Sequence, residues 1–278
     1  MVDLHLHTIA SDGRLSPEQL VARVAAAGIT VMSVTDHDTV AGLADARRAA
    51  ATQGIEFVDG VEVTAVADGR DVHVLGYFVD PADDTFNAFL TTQRARRVER
   101  LREMGARLGE LSVRIDVDRL LARAARKPGA SVGRPALARA LVRANHVGSV
   151  QEAFDRFLAA GRPAFVPRIG VPPHEAVDVI HAAGGLASMA HPAVTNNPAV
   201  MAALASHPID AIEVFHSDHS PDARRQLQQF ASEHRLLITG GSDFHGDSSR
   251  DRPLGRSVLP REDYDRLAAR KAARADSR

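Results

Sequence analysis

The chain has 278 residues, 45% of them hydrophobic and 25% charged, the balance of an ordinary globular protein with room for one large α/β domain or a barrel carrying an insertion. Its 34 Lys and Arg against 35 Asp and Glu leave a formal charge of −1, so no global field draws it to nucleic acid or to a membrane, and any polyanion must be held by local cations. The absence of cysteine excludes disulfides, thiolate metal sites and a cysteine nucleophile.

The N-terminus turns polar at once, without a basic stretch followed by an apolar run, and no segment reaches the ~18 apolar residues of a membrane span. A cytoplasmic protein with no membrane contact and no obligate protein partner is expected. Val2 to His7 predicts the first strand. Ser16-Pro17-Glu18-Gln19 then opens a helix with Ser16 at the N-cap, Pro17 at N1 and Gln19 placed to complete a capping box. That helix runs to about Gly28, a suitable C′ residue. Val31 to Thr35 predicts a second strand, and a helix over 40–53 closes at Gly54. Ile55 to Val58, Val61 to Val66 and Val72 to Val79 are β-rich, with Asp68-Gly69 as a hairpin turn between the last two.

After Pro81 the character changes. Residues 85–161 read as helix after helix, including a long Arg/Glu-rich one over 86–108 and another capped by Ser149 and running through Ala160. From Phe165 the βα rhythm returns: a helix over 173–183, strands over 186–190 and 211–215, a helix capped at Ser220-Pro221 and a strand over 236–239. Arg261 to Arg278 predicts a charged surface helix with a frayed tail. This order predicts a parallel α/β barrel over 1–82 and 165–278, interrupted by a helical insertion over 83–164 that caps it.

Residues with metal-ligating chemistry recur at the ends of the predicted strands. His5 and His7 stand two apart and so project from one face of a strand. Asp12 follows in the Ser11-Asp12-Gly13 turn, His37 in Thr35-Asp36-His37-Asp38, then Glu62, His73, His191 in Ala190-His191-Pro192, and Asp243 with His245 after the last strand. A parallel barrel brings such strand ends to one face. A lone histidine at a strand end is ordinarily a hydrogen-bonded structural residue. So many imidazoles and carboxylates at one mouth, however, would be poorly satisfied without cations, and they are the ligands that divalent cations take. His146, His174, His181, His207 and His234 fall on or beside helices and read as structural or surface residues.

His5-Leu6-His7-Thr8, Ser11-Asp12-Gly13, Thr35-Asp36-His37-Asp38, Gly60-Val61-Glu62 with His73, Ala190-His191-Pro192 and Ser242-Asp243-Phe244-His245 together resemble the motifs of the PHP (polymerase and histidinol phosphatase) family. Asp12, where some members carry His, and the helical insertion resemble its branch of nucleoside 3′,5′-bisphosphate phosphatases, which includes a 5′-to-3′ exonuclease on short RNA. The resemblance implies a distorted (β/α)7 TIM-like barrel with a trinuclear site. His5, His7, Glu62 and Asp243 would hold one ion, Glu62 with His73 and His191 a second, and Asp12, His37 and His245 a third. Manganese is the ion the resemblance implies, while the residues themselves specify only divalent and N/O-ligated, which zinc and iron also satisfy.

Such ions bring the pKa of bound water from ~15.7 towards ~7, so hydrolysis of a phosphoester needs no protein nucleophile. His216 and Asp36 are candidates to protonate the leaving oxygen. Ser131 and Arg134, which precede a helix in Ser131-Val132-Gly133-Arg134-Pro135, are candidate phosphate contacts, as is Arg162 where the chain returns to the barrel. The arginines over 94–107 interleave with Glu99 and Glu103 and read as a solvated helix face. Where relatives continue Ala190-His191-Pro192 with Gly-Arg, this chain has Ala193-Val194, which removes one arginine from the phosphate. The expected partner is a small phosphorylated nucleotide and the 5′ ends of short RNA. The alternatives are a phosphatase of another small phosphomonoester, such as histidinol phosphate, or a non-catalytic metal-binding module.

Overall fold

The computed structural model describes residues 1–246 and 253–276. Seven strands form one sheet in chain order: β1 (Val2–Asp3), β2 (Val31–Val34), β3 (Glu56–Ala67), β4 (Arg70–Tyr77), β5 (Leu186–Met189), β6 (Ala211–His216) and β7 (Leu237–Gly241). The edges meet. Leu4 N–H donates to Gly240 O at 3.1 Å, Asp243 N–H donates to His5 O at 2.9 Å, and Leu6 bridges Phe244. The sheet is thus a nearly closed α/β barrel. The segment after Asp3 continues the first strand irregularly, because it exchanges hydrogen bonds with β7 on one side and with Thr35 on the other.

Helices α1 (Pro17–Ala26) and α2 (Leu43–Thr52) follow β1 and β2. The Ser16–Gln19 capping box forms in both directions, Gln19 N–H to Ser16 Oγ at 3.2 Å and Ser16 N–H to Gln19 Oε1 at 2.9 Å. After β4 come α3 (Asp84–Glu110), α4 (Val117–Ala125), α5 (Arg134–Arg143) and α6 (Val150–Ala153). The helix expected from Ser149 to Ala160 is instead the short α6 continued by one π-helical turn, Phe154–Leu158. The second half of the barrel adds α7 (Pro173–Ala182), α8 (Pro192–Thr195), α9 (Pro198–Ala205), α10 (Pro221–His234) and α11 (Arg261–Asp276). Among the described residues no helix is long and apolar enough to cross a membrane.

Two expectations about the strands require correction. The stretches expected over 55–58 and 61–66 form the single strand β3, which starts at Glu56 and runs through Gly60. A Cβ there would stand 2.2 Å from Ser33 Oγ and 2.9 Å from Val34 O, so only glycine lets β3 lie this close to β2. The barrel is also not wholly parallel, since β4 runs antiparallel to both β3 and β5. The cause is the tight Asp68-Gly69 turn, both residues at positive φ, which leaves no space for a crossover helix.

Phe86 and Leu90 on the first turns of α3 pack into the barrel core with Val61, Val74 and Ile180. Farther along, Leu101, Met104 and Leu108 join Leu137, Leu141 and Phe157 in a separate apolar cluster. Arg97 and Arg100 lie between the two sets, 5% and 7% exposed, so they do not belong to the solvated face expected of them. Of that expected pattern, Arg107 and Glu103 do form the i,i+4 pair, at 2.8 Å. The C-terminal helix also differs from a simple surface helix. Tyr264 and Leu267 on α11 are buried against Val2, Leu4 and Val31, and Lys271 Nζ donates to Gly184 O at 2.6 Å. These partners mark the starts of parallel strands, so α11 covers the end of the barrel opposite the ligand-bearing turns. The tail expected beyond it falls on 277–278, outside the described residues. The close approach of β2 and β3 at Gly60 can be checked directly: Gly60→Ala should cost about 1–3 kcal/mol through overpacking, read as a lower midpoint of thermal unfolding, and an unchanged midpoint would contradict it.

Candidate metal centre

One carboxylate sits at the middle of the mouth. Glu62, buried within β3, has five imidazoles around it: His73 Nδ1 at 2.6 Å, His37 Nδ1 and His191 Nε2 each at 3.1 Å, His7 Nε2 at 3.2 Å and His5 Nε2 at 3.3 Å. Asp243 stands beside it, 3.1 Å from His7 Nε2 and 3.5 Å from His5 Nε2. Asp12 completes a second edge, 3.1 Å from His245 Nε2, 3.8 Å from His7 Nδ1 and 3.9 Å from His37 Nε2. His73 reaches this face because β4 is reversed, which puts the N-terminal half of β4 at the mouth. Glu62 occupies the middle of β3 rather than its end, and the β3–β4 hairpin rises past it as part of the wall. All nine ligand-type residues named from the sequence are brought to this one place.

The donor set fits divalent cations better than it fits itself. The Nδ1 atoms of His7 and His191 are buried with no hydrogen-bond partner, and His7 Nε2 and His37 Nδ1 meet carboxylate oxygens at 3.1–3.2 Å without a well-directed hydrogen bond, a costly state for polar atoms that a cation would relieve. Potential ligand atoms of His7, Asp12, His37 and His245 lie within 4.8 Å of one another, as do those of His5, His7 and Asp243 and those of His37, Glu62 and His73. Burial opposes charge on His7, yet the Asp243 and Glu62 carboxylates close beside it hold its pKa up at about 10. Burial also opposes charge on His5, and Glu213, Asp243 and Glu62 overcome it to raise that group well above its ordinary value. His37 goes the other way, pushed by burial down to about 3, which leaves it neutral.

Behind the cage lies a residue that sequence reasoning missed. Glu213, on β6 and fully buried, accepts from the backbone N–H of His191 at 2.8 Å and meets His5 Nδ1 at 2.9 Å. Despite burial, His5 beside it holds its carboxyl down at about 2. An ionised acceptor on Nδ1 keeps a proton there and aims Nε2 of His5 at Glu62 and Asp243, where a cation that displaced the Nε2 proton would find its lone pair. The only sequence signal was a lone acid in the apolar run Ala211-Ile212-Glu213-Val214-Phe215. Backbone strain also gathers here: Asp38, His191 and Asp243 all have positive φ, a state that costs a non-glycine residue ~1–3 kcal/mol and persists where surrounding contacts enforce it. Asp38 is enforced by Thr64 N–H at 2.8 Å and Arg97 Nε at 2.5 Å.

The cage opens into a cavity of about 350 Å³ whose far wall is cationic, with Arg97, Arg134 and Arg168 facing the ligand side chains. Asp71 organises the wall. Its oxygens accept from Arg168 Nε at 3.1 Å and Arg134 Nη2 at 3.2 Å, with Arg100 Nη1 at 3.7 Å. Against burial, these guanidinium groups keep its carboxyl well below the ordinary range, so three cations share one negative charge. Phe154, where the π-helical turn begins, presents its ring to the same cavity beside Arg134. Val194 lines it too.

The remaining sequence candidates separate. Arg134 lines the cavity, but Arg162 is exposed and does not, and Arg168, six residues on, stands there instead. Ser131 is buried on a neighbouring groove rather than on this cavity. Asp36 is turned into the first barrel turn, where it accepts from Thr8 N–H at 2.8 Å and from Thr8 Oγ1 and Ser11 Oγ at 2.5 Å each. His216 is fully buried, its Nδ1 accepting from Asp218 N–H at 3.1 Å and its Nε2 3.3 Å from Asp243 Oδ2. Neither faces the cavity as a proton donor to a substrate would. The helix-borne histidines are paired locally, His181 with Asp210 at 2.7 Å and His207 with Asp178 at 2.9 Å.

Metal loading should depend on pH with a defined sign. His7, with its pKa raised from 6.5 to about 10 in the metal-free cage, carries a proton at neutral pH that a cation must expel. Apparent metal affinity should therefore rise with pH between 6 and 9, and titration calorimetry in buffers of different ionisation enthalpy should read proton release; a pH-independent affinity would remove His7 from the ligand set. Glu213→Gln should weaken metal binding about 10–100-fold with the far-UV circular dichroism unchanged, whereas undiminished affinity would show that Glu213 does not orient His5.

With the geometry in place, comparison with known proteins gives a consistent answer. A model of the PHP domain matches residues 3–159. The chain is 35% identical over 252 residues to the 5′-3′ exoribonuclease Rnm of Escherichia coli, covering 87% of this chain and 84% of that protein. It is 34% identical over 261 residues to the 3′,5′-nucleoside bisphosphate phosphatase of Chromobacterium violaceum, covering 92% and 91%. A solved structure from Bifidobacterium adolescentis, named for an inferred metal-dependent phosphoesterase activity, superposes with a TM-score of 0.88 at 30% identity over 97% of this chain and 96% of that one. The distorted barrel, its mouth of histidines and acids and these likenesses agree: the chain belongs to the PHP domain family.

Proposed function

We propose that this protein is a metal-dependent phosphohydrolase that removes the 3′-phosphate of nucleoside 3′,5′-bisphosphates and acts as a 5′-to-3′ exonuclease on short 5′-phosphorylated RNA. The observation that carries this reading is the pairing of the ligand cage with a wall of three arginines and one aromatic ring across a single cavity. His5, His7, Glu62 and Asp243 would hold one ion, Glu62 with His73 and His191 a second, and Asp12 with His37 and His245 a third. His37 stands between the last two groups, near both Asp12 and Glu62. Manganese is the expected ion, and zinc and iron suit the same donors. Bound there, such ions supply Lewis-acid charge and water activated near neutral pH.

The chain's own residues do the rest. Arg168 and Arg134, oriented by Asp71, bind phosphoryl oxygens as charge-assisted donors. The surplus positive charge of this wall suits a substrate with two phosphates, and Phe154 offers a face on which a base can stack. Asp36 acts through the Thr8–Ser11 turn and His216 through Asp243, so both are positioning residues. Histidinol phosphate suits the cavity less well, because its ammonium group would meet the same cationic wall, and a non-catalytic module would have no need of that wall. Phosphate release from adenosine 3′,5′-bisphosphate with added manganese should exceed that from histidinol phosphate by at least ~10-fold, a margin that unpaired buried charge in the wrong complex readily supplies. Chelation should abolish it. The reverse ranking would reject the substrate assignment.

A further inference from the structure

A second groove, also about 350 Å³, lies beside the metal cavity between the barrel turn Ile9–Gly13 and helices α4 and α5. Its lining includes Arg123, Lys127, Arg139 and Arg143 and no carboxylate. Among the described residues, Arg123, Lys127 and Arg143 are exposed and form no ion pair. Arg139 Nη1 donates to the backbone oxygen of Asp12 at 3.2 Å, so the groove backs directly onto the turn that carries a candidate metal ligand. Ser131 is on its wall, 4% exposed, with an Oγ that has no hydrogen-bond partner. Arg123 and Arg143 stand near helix C-termini, where cations suit the dipole. That accounts neither for the convergence of these cations on one groove with no carboxylate in its lining nor for the buried hydroxyl.

We propose that this groove carries the phosphodiester backbone of RNA downstream of the 5′ nucleotide held at the metal centre. The inference rests on the exonuclease half of the proposed function. A mononucleotide ends within the metal cavity, whereas an oligonucleotide must leave it, and the Ser11–Gly13 turn is shared between the cavity edge at Asp12 and the groove. The exposed Arg123, Lys127 and Arg143, which form no ion pair among the described residues, suit successive phosphates, and Ser131 Oγ is a donor left for one of them. No aromatic ring lines the groove, so it should follow charge along the strand without stacking bases and without sequence preference.

The test is the triple variant Arg123→Gln, Lys127→Gln, Arg143→Gln, made at exposed side chains so that folding is preserved. Its kcat/KM on a 5′-phosphorylated pentaribonucleotide should fall at least ~10-fold, mainly through KM. The slope of log(kcat/KM) against log salt should lessen by about 2, at ~0.7 for each phosphate that the three side chains no longer neutralise. Turnover of adenosine 3′,5′-bisphosphate should stay within about two-fold of the wild type, since that substrate does not reach these cations. Equal losses on both substrates, or unchanged RNA kinetics and salt slope, would overturn the proposal. Fluorescence anisotropy with the same RNA separates it from the reading beneath it. Wild-type protein that binds RNA more tightly than the triple variant but fails to cleave it refutes the exonuclease reading and keeps the groove, while protein that binds no RNA refutes both.

Discussion

The structure turns on one buried carboxylate surrounded by imidazoles. Glu62 has five histidine nitrogens within 3.3 Å, an arrangement with no stable self-contained solution. Protonated rings would satisfy the acid but repel one another, and neutral rings would leave buried lone pairs unused. The opposite shifts of His7 and His37 express that conflict within a few ångströms. Cations resolve it by replacing protons, so the same feature that makes the metal-free site uncomfortable makes it a strong ligand set.

Everything around Glu62 serves to keep this set in place. Glu213 fixes the ring of His5 and the backbone of His191, Asp36 holds the Thr8–Ser11 turn next to Asp12, and Arg97 ties α3 to Asp38 and Thr64. The positive φ angles at Asp38, His191 and Asp243 are tolerated because each residue is held by a buried partner on another strand. Strain and its restraint coincide at the strand ends, where a barrel builds its chemistry.

Much of this was legible in the sequence, for identifiable reasons. The ligand-type residues sit in short motifs at strand ends, and their chemistry is unusual enough to stand out from a surface pattern. The helix caps at Ser16, Ser149 and Ser220 are local signals and form as read. What was not legible is tertiary. Glu213 hides in an apolar strand. Arg97 and Arg100 share with Gln93 the buried stripe of α3 between Leu90 and Met104, and the neighbouring Glu99 and Glu103 made the two arginines resemble a solvated face. Arg162 and Arg168 differ only in which way a returning loop turns. The reversed β4 was in fact implied by its own Asp68-Gly69 turn, which cannot join parallel strands. The short helices α8 and α9, each opened by a proline, went unread because four to eight residues give too little periodicity to detect.

That reversal has a consequence for the helical region. A strand entered from the mouth ends at the floor, so after Tyr77 the chain finds itself at the wrong end of the barrel. A single 27-residue helix, ~40 Å long at 1.5 Å per residue, climbs back along the outside. Its lower third is mortared into the barrel wall through Phe86 and Leu90, and its upper third is the spine of the second apolar cluster. The helices beside the ligands are therefore the overhang of a buttress rather than a flap hung on a loop, and the base of that buttress is packed against the wall that carries Glu62.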